Sequence, residues 1–302
     1  MPASATPEPL AVFVNPSAGG GRARKTARAA EARFARARFP TVFHEPRTPE
    51  AYSEAVRREV ARGARAVAAL GGDGTLQRMA REVLGRALTV GILPAGGGND
   101  FAKALGIASL ESAVDAVIAG GRRRVDAVRV RTAVAEGIYL GGGGVGLDAR
   151  AARFARGGLR LLPGRVRYLC SALLALVGFR GVSVRAEFPG SDLPALEETA
   201  LLAAVLNTPG YGGGVRLAPE AQIDDGLLEL VVIEPLSNWE ALGLLPRLLL
   251  EGTLKGPRVV RRRAGKIRLA APGERLHGDG EWFGEGPFEI EVLPGALEMY
   301  AP

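Results

Sequence analysis

The 302-residue sequence predicts two kinds of architecture in series: an α/β domain with a doubly wound parallel sheet, then an antiparallel, sandwich-like β-rich domain. Three observations carry this. Short continuous apolar runs alternate with helix-like segments through the first 130 residues, as buried parallel strands and crossover helices do. Three of those runs end in glycine-bearing loops, the edge at which open parallel sheets bind ligands. From about residue 125 onward the chain is mainly strand-like runs separated by glycine-rich turns.

Taken in order, residues 10–14 (Leu-Ala-Val-Phe-Val) form the first strand, which ends at Asn15-Pro16. The turn Ser17-Ala18-Gly19-Gly20-Gly21 leads into an arginine- and alanine-rich helix reaching about Phe39. Residues 41–43 are a second strand. Thr48-Pro49-Glu50 starts a helix, with a capping hydroxyl, proline at the first position and a carboxylate in the first turn. Residues 66–70 and 89–93 are the third and fourth strands. Ser109 opens a helix that Gly120-Gly121 closes. The later strand-like runs are 125–130, 137–140, 182–188, 199–206, 227–233, 266–270 and 288–292, with helical segments near 166–178 and 239–250. The change of pattern divides the chain into residues 8–130, to which 293–302 return, and residues 131–292.

Composition narrows the function classes. Hydrophobic residues at 47% and charged residues at 24% are ordinary for a globular protein. The single cysteine, Cys170, excludes an internal disulfide and any multi-cysteine metal site, and its apolar neighbours predict a buried thiol. A net charge of +7 suits phosphorylated substrates, anionic lipid or nucleic acid. Arginine is spread along the chain, no block interleaves aromatic and basic residues, and no nucleic-acid-binding signature occurs; the sequence therefore predicts no nucleic-acid partner. Arg261-Arg262-Arg263 reads as a solvated edge. The N-terminus lacks a signal-peptide pattern, and the most apolar run, 169–179, is too short to span a bilayer. A cytoplasmic location follows. The basic and apolar mixture of residues 160–179 reads either as an interfacial segment at the inner membrane face or as a core helix with basic flanks.

The chemistry concentrates in the three loops, at residues 15–21, 71–75 and 94–100. Glycines let backbone approach a bulky anion, and helix N-termini supply N–H donors. In Gly71-Gly72-Asp73-Gly74-Thr75 a carboxylate stands among the glycines. It would repel a bare phosphate, so a metal ion or a hydroxyl proton is its target. The dinucleotide fingerprint, the P-loop and the protein-kinase catalytic loop are all absent. Asp279-Gly280-Glu281 is either an acidic catalytic loop or an ordinary Asp-Gly hairpin turn, and Asp224-Asp225-Gly226 is either a metal-binding turn or a plain one. His44 and His277 are lone histidines suited to local hydrogen bonding.

Together these blocks resemble the diacylglycerol kinase catalytic domain family, in its bacterial soluble lipid kinase branch related to sphingosine kinases. The resemblance rests on Val14-Asn15-Pro16-Ser17-Ala18-Gly19, Gly71-Gly72-Asp73-Gly74-Thr75-Leu76 and Leu93-Pro94-Ala95-Gly96-Gly97-Gly98-Asn99-Asp100-Phe101-Ala102. It continues through Tyr211-Gly212-Gly213-Gly214, Ala218-Pro219-Glu220-Ala221, Asp224-Asp225-Gly226-Leu227-Leu228, Gly278-Asp279-Gly280-Glu281 and Leu293-Pro294-Gly295-Ala296-Leu297. It implies a nucleotide-binding domain of phosphofructokinase-like and NAD-kinase-like type, a β-rich lipid-substrate domain, and a cleft holding ATP, magnesium and a lipid headgroup. By position, Asn15, Thr48, Gly72, Asp73, Gly74, Thr75 and Gly97 fall where the family contacts ATP. Glu281 falls at the general base, with Asp279 in the same acidic loop. Carbonyls of Gln222 and Leu227, the Asp225 carboxylate and, through water, Asp126 fall at a structural magnesium.

Phosphoryl transfer needs positioning, charge neutralisation and a group to take the hydroxyl proton, and Asp73 and Glu281 are the candidates for that last role. Three departures stand out. Gly97 replaces a threonine or serine, removing a hydroxyl worth on the order of 1 kcal/mol toward a phosphate. Gln77-Arg78 replaces Asn-Glu, and residues 141–144 lack an asparagine. The implied function is an ATP- and magnesium-dependent lipid kinase acting at a membrane surface, with a homodimer left open. The alternatives are a binding protein of the same fold with impaired catalysis, or an NAD-kinase-like small-molecule kinase.

Overall fold

A computed structural model describes residues 9–156, 170–171, 174–176, 179–212, 215–237, 240 and 258–302. The chain separates into two compact units, one comprising residues up to Val125 together with Ala296–Pro302, the other Asp126–Gly295.

The first unit runs β1 (Leu10–Val14), a short 3₁₀ turn, α1 (Ala23–Arg36), β2 (Thr41–His44), α2 (Pro49–Ala61), β3 (Ala66–Gly71), α3 (Asp73–Val83), β4 (Thr89–Pro94), α4 (Asp100–Ala104) and α5 (Leu110–Ala119). The strands are parallel in the order β2-β1-β3-β4. Because β1 leads outward to β2 and the chain then returns past it to β3, the topological switch lies between β1 and β3. Helix α1 packs with α5, and α2 with α3, giving two helix layers. The strand runs are continuous apolar stretches because they are covered: Val12, Phe13, Val67, Ala68, Ala69 and Leu70 are fully buried. Helix starts follow local chemistry. The Thr48 hydroxyl accepts from Ala51 N–H, and Ser109 with Ser112 forms a reciprocal capping box.

The second unit contains most of β5 (Arg122–Arg131), then β6 (Glu136–Tyr139), β7 (Gly142–Gly146), α6 (Leu147–Arg156), β8 (Val182–Glu187), β9 (Leu196–Ala200), β10 (Leu202–Leu206), β11 (Leu228–Ile233), β12 (Val259–Ala264), β13 (Lys266–Ala270), β14 (Arg275–Gly278), β15 (Glu281–Glu285) and the start of β16 (Phe288–Tyr300). One antiparallel sheet has the order β12-β11-β10-β7-β14-β15. Facing it are the antiparallel pairs β8–β9, β8–β13, β13–β16 and β5–β6. Both layers contribute to one core, with Val145, Val205, Leu230 and Leu276 from the first and Val128, Val184, Ile267 and Ile290 from the second. That is a sandwich. Strand β16 begins here, and its end returns to the first unit, where Glu298 and Met299 align parallel with Thr89 and Val90 of β4.

Several elements differ from the sequence expectation. Helix α3 begins at Asp73, inside the second glycine loop, and α3, α4 and α6 are helices beyond those listed from the sequence. Residues 199–206 are two strands, β9 and β10, meeting at Leu201. The glycine run 142–146 is a fully buried strand. The expected helices near 166–178 and 239–250, and the basic stretch at 160–169, lie wholly or largely outside the described residues. Among those described, no helix is long and apolar enough to cross a membrane. Cys170 is only partly buried. The arginine run is not simply a solvated edge: Arg261 donates to the Leu217 carbonyl, and Arg263, cross-strand from Glu229, pairs with both Glu229 and Asp225.

Candidate active site

In the first unit the three glycine loops converge at the C-terminal ends of β1, β3 and β4. The link between the first two loops is made by Asn15. Its backbone N–H donates to the Leu70 carbonyl at 3.0 Å, and its side-chain amide donates to Thr75 Oγ1 at 2.9 Å. Its Oδ1 accepts from the N–H and hydroxyl of Ser17, which shapes the loop after β1.

The second and third loops touch through backbone. Ala95 and Gly96 N–H groups both donate to the Gly71 carbonyl. A Cβ on Gly96 would stand 2.6 Å from Gly72 Cα and 2.7 Å from Asn99 Oδ1, so only glycine permits this approach. Asn99, in the left-handed region at φ 53°, folds its side chain back onto both backbone groups of Gly96. Asp73 Oδ1 accepts from Phe101 N–H at 3.0 Å, tying the start of α3 to the start of α4. Gly72, Asp73, Thr75 and Asn15 are therefore one connected constellation at the switch point. Gly97 is exposed on the third loop. Thr48 lies beyond β2, where its hydroxyl is occupied as the cap of α2.

In the second unit the acidic loop is a hairpin turn. Gly278 and Glu281 face each other across β14 and β15, with Asp279 (φ 44°) and Gly280 (φ 90°) between them. Asp279-Gly280 is thus the tip of a β14–β15 hairpin. The Asp279 carboxylate is directed into the protein, where it accepts from Leu140, Gly141 and Gly142 N–H at 2.8, 2.9 and 3.2 Å. Burial pushes this carboxyl above its usual range, and the three N–H donors hold it down only in part. Glu281 is partly exposed at the start of β15. Beside it the Trp282 ring packs on His277 and has the Arg275 guanidinium 5.2 Å from its centroid.

A third cluster surrounds Asp126, which is 1% exposed. Its two carboxylate oxygens accept from Gly226 and Gly295 N–H, each at 2.8 Å. Asp225 lies in the same 222–227 loop, where one oxygen accepts from Leu227 N–H and the other pairs with Arg263. Asp126 and Asp225 carry oxygens of the kind a hard cation takes, and here those oxygens are engaged by backbone N–H groups and Arg263.

The motifs include Asn99 without giving it a role, and they do not include Asn207 or Thr208. Asn207 is fully buried directly after β10, and with Thr208 it grips the carbonyls of residues 140 and 141. A polar pair ending a wholly apolar strand was the available signal.

Comparison with known proteins follows the same division. Residues 9–130 match the diacylglycerol kinase catalytic domain, and residues 144–301 match the YegS C-terminal NAD kinase beta sandwich-like domain. The chain is 30% identical to a diacylglycerol kinase of Mycobacterium tuberculosis, covering 97% of this chain and 95% of that protein. It is 32% identical to a Stenotrophomonas maltophilia protein named "Probable lipid kinase YegS-like", over 80% of each chain. A crystal structure of a diacylglycerol kinase from Bacillus anthracis superposes with a TM-score of 0.74 at 18% identity, covering 99% of this chain and 98% of that one, which shows a shared fold. The chain belongs to the diacylglycerol kinase family, whose members are phosphotransferases with an alcohol acceptor.

Proposed function

We propose that this protein is a lipid kinase that transfers the γ-phosphate of ATP, used as its magnesium complex, to a hydroxyl of diacylglycerol or a closely related lipid. The observation that carries the reading is the Asn15–Thr75–Gly72–Gly96–Asp73 constellation at the switch point of a parallel sheet, in a chain of lipid kinase family. The loops bind the phosphates through backbone N–H groups, and the glycines keep side chains out of their path. Asp73 holds the second and third loops in register and offers its carboxylate beside the phosphate loops. Magnesium supplies neutralisation of the charge that develops on the transferred phosphoryl group. A structural magnesium held by the carbonyls of Gln222 and Leu227, the Asp225 carboxylate and, through water, Asp126 would stiffen the 222–227 loop.

Transfer requires a base for the acceptor hydroxyl. Asp279 is a poor choice because both its oxygens are committed to backbone N–H donors inside the protein. Glu281 takes that role, and Asp279 fixes the turn that carries it. The lipid headgroup is met at the membrane surface, with the net charge of +7 favouring an anionic one.

The test is phosphate transfer by purified protein from labelled ATP to a panel of lipid alcohols, free sugars and NAD. Labelling of diacylglycerol, lost in Asp73→Ala and Glu281→Gln, supports the reading. Labelling of NAD alone, or an Asp73→Ala variant as active as the parent, overturns it.

A further inference from the structure

Behind the acidic turn lies a residue that neither the motifs nor the proposed chemistry uses. Asn207 is fully buried, and its backbone N–H donates to the Gly141 carbonyl at 2.8 Å. Its side-chain amide donates to the Leu140 carbonyl at 2.9 Å and reaches the Asp126 carbonyl at 3.4 Å. Thr208 adds its N–H and hydroxyl to the Gly141 carbonyl, each at 3.2 Å. The neighbouring N–H groups of residues 140, 141 and 142 all donate to Asp279. The segment 140–142 is therefore held from its carbonyl side by Asn207 and Thr208, and from its N–H side by Asp279. Packing there is tight: a Cβ on Gly141 would stand 2.9 Å from Asp279 Oδ1 and 3.4 Å from Thr208 Oγ1.

The Asn207 Oδ1 is buried with no hydrogen-bond partner among the described residues. A buried unpaired acceptor is a standing penalty, and native structures carry few of them. A serine or threonine could cap one carbonyl without it. What the asparagine adds is two N–H donors at once, which join the backbone of Asp126 to the backbone that orients Asp279.

We infer that Asn207 is a positioning residue for phosphoryl transfer, acting through the Leu140–Gly142 peptides on Asp279 and so on the turn that presents Glu281. The inference rests on the reading of Glu281 as the base. Misplacing a catalytic group by about 1 Å costs on the order of a hundredfold in rate. Residues acting through one another also give non-additive effects.

The experiment is a double-mutant cycle in lipid phosphorylation, using Asn207→Ala, Asp279→Asn and the pair, with kcat and the KM for ATP measured separately. Asn207→Ala should lower kcat by roughly tenfold to a hundredfold and leave the KM for ATP within about twofold. The double variant should fall no further than Asp279→Asn alone. Multiplying effects on kcat, or a loss confined to KM, would overturn the inference. Amide hydrogen exchange at Leu140, Gly141 and Gly142 gives a second readout that needs no substrate, and Asn207→Ser serves if the alanine variant does not fold. Faster exchange at these three amides in the Asn207 variant supports the linkage, and unchanged protection refutes it. If the parent protein phosphorylates no lipid, the proposed function fails while the exchange result still decides the linkage.

Discussion

Replacing Gly96 with alanine tests the convergence of the phosphate loops directly. The added Cβ would lie 2.6 Å from Gly72 Cα and 2.7 Å from Asn99 Oδ1. Carbon atoms in contact prefer about 3.5–4.0 Å, so the second and third loops must part by about 1 Å. Overpacking of this kind costs about 1–3 kcal/mol of stability. The functional effect is larger, because a phosphate site displaced by about 1 Å loses on the order of a hundredfold in turnover. Transfer of label from ATP to diacylglycerol, calorimetric ATP binding and a thermal melt measure the three quantities together. Gly85→Ala is the matched control. Gly85 has φ +75° and open space within 4 Å of where a Cβ would stand, so its replacement costs about 1–2 kcal/mol of backbone strain and leaves kinetics unchanged. A Gly96→Ala enzyme that binds ATP and turns over like the parent would refute the argument that these loops form one site.

Three further outcomes are expected. Thr48→Ala removes the α2 cap and should lower stability by about 1 kcal/mol in a denaturant titration; an unchanged midpoint would contradict the cap's role. Gly97→Thr restores a hydroxyl at an exposed loop position and should lower the KM for ATP about fivefold, the equivalent of about 1 kcal/mol, whereas an unchanged KM would show that the hydroxyl has no phosphate to reach. Glu229 is buried beside Arg263, and burial raises its carboxyl above the ordinary value of 4.5. The folded form therefore holds a proton that the unfolded chain releases, and stability from this group falls as pH rises from about 4.5 through the raised value. Glu229→Gln should flatten that part of the stability–pH curve, and an unaltered slope would remove the group from the account.

The legible parts of the fold were those set by local composition. The strands read at 10–14, 66–70 and 89–93 were clear because a parallel strand covered on both faces is a short continuous apolar run. Thr48 and Ser109 read as helix starts because a cap is local chemistry. The buried strand 142–146 was not legible, since glycine disfavours strands. Its reason is tertiary: a Cβ on Gly142 would stand 2.5 Å from Leu206 Cδ2, and one on Gly144 would stand 3.0 Å from the Ala203 carbonyl oxygen. The candidate site divides in the same way. The glycine loops announced themselves, and their place at the ends of three parallel strands predicted a shared edge. The inward turn of Asp279 did not, because its partners at 140–142 are more than a hundred residues away in sequence. Asn207 gave only the weak signal of a polar residue closing an apolar strand, because its partners Asp126, Leu140 and Gly141 are remote in sequence.

The most direct measurement is label transfer from ATP to diacylglycerol presented in anionic vesicles, comparing the parent protein with Glu281→Gln while following ATP binding in both. The parent should yield labelled phosphatidate, the variant should lose about a hundredfold or more, and the two should bind ATP equally. A Glu281→Gln enzyme that phosphorylates the lipid at the parental rate would contradict the role of Glu281 as the base.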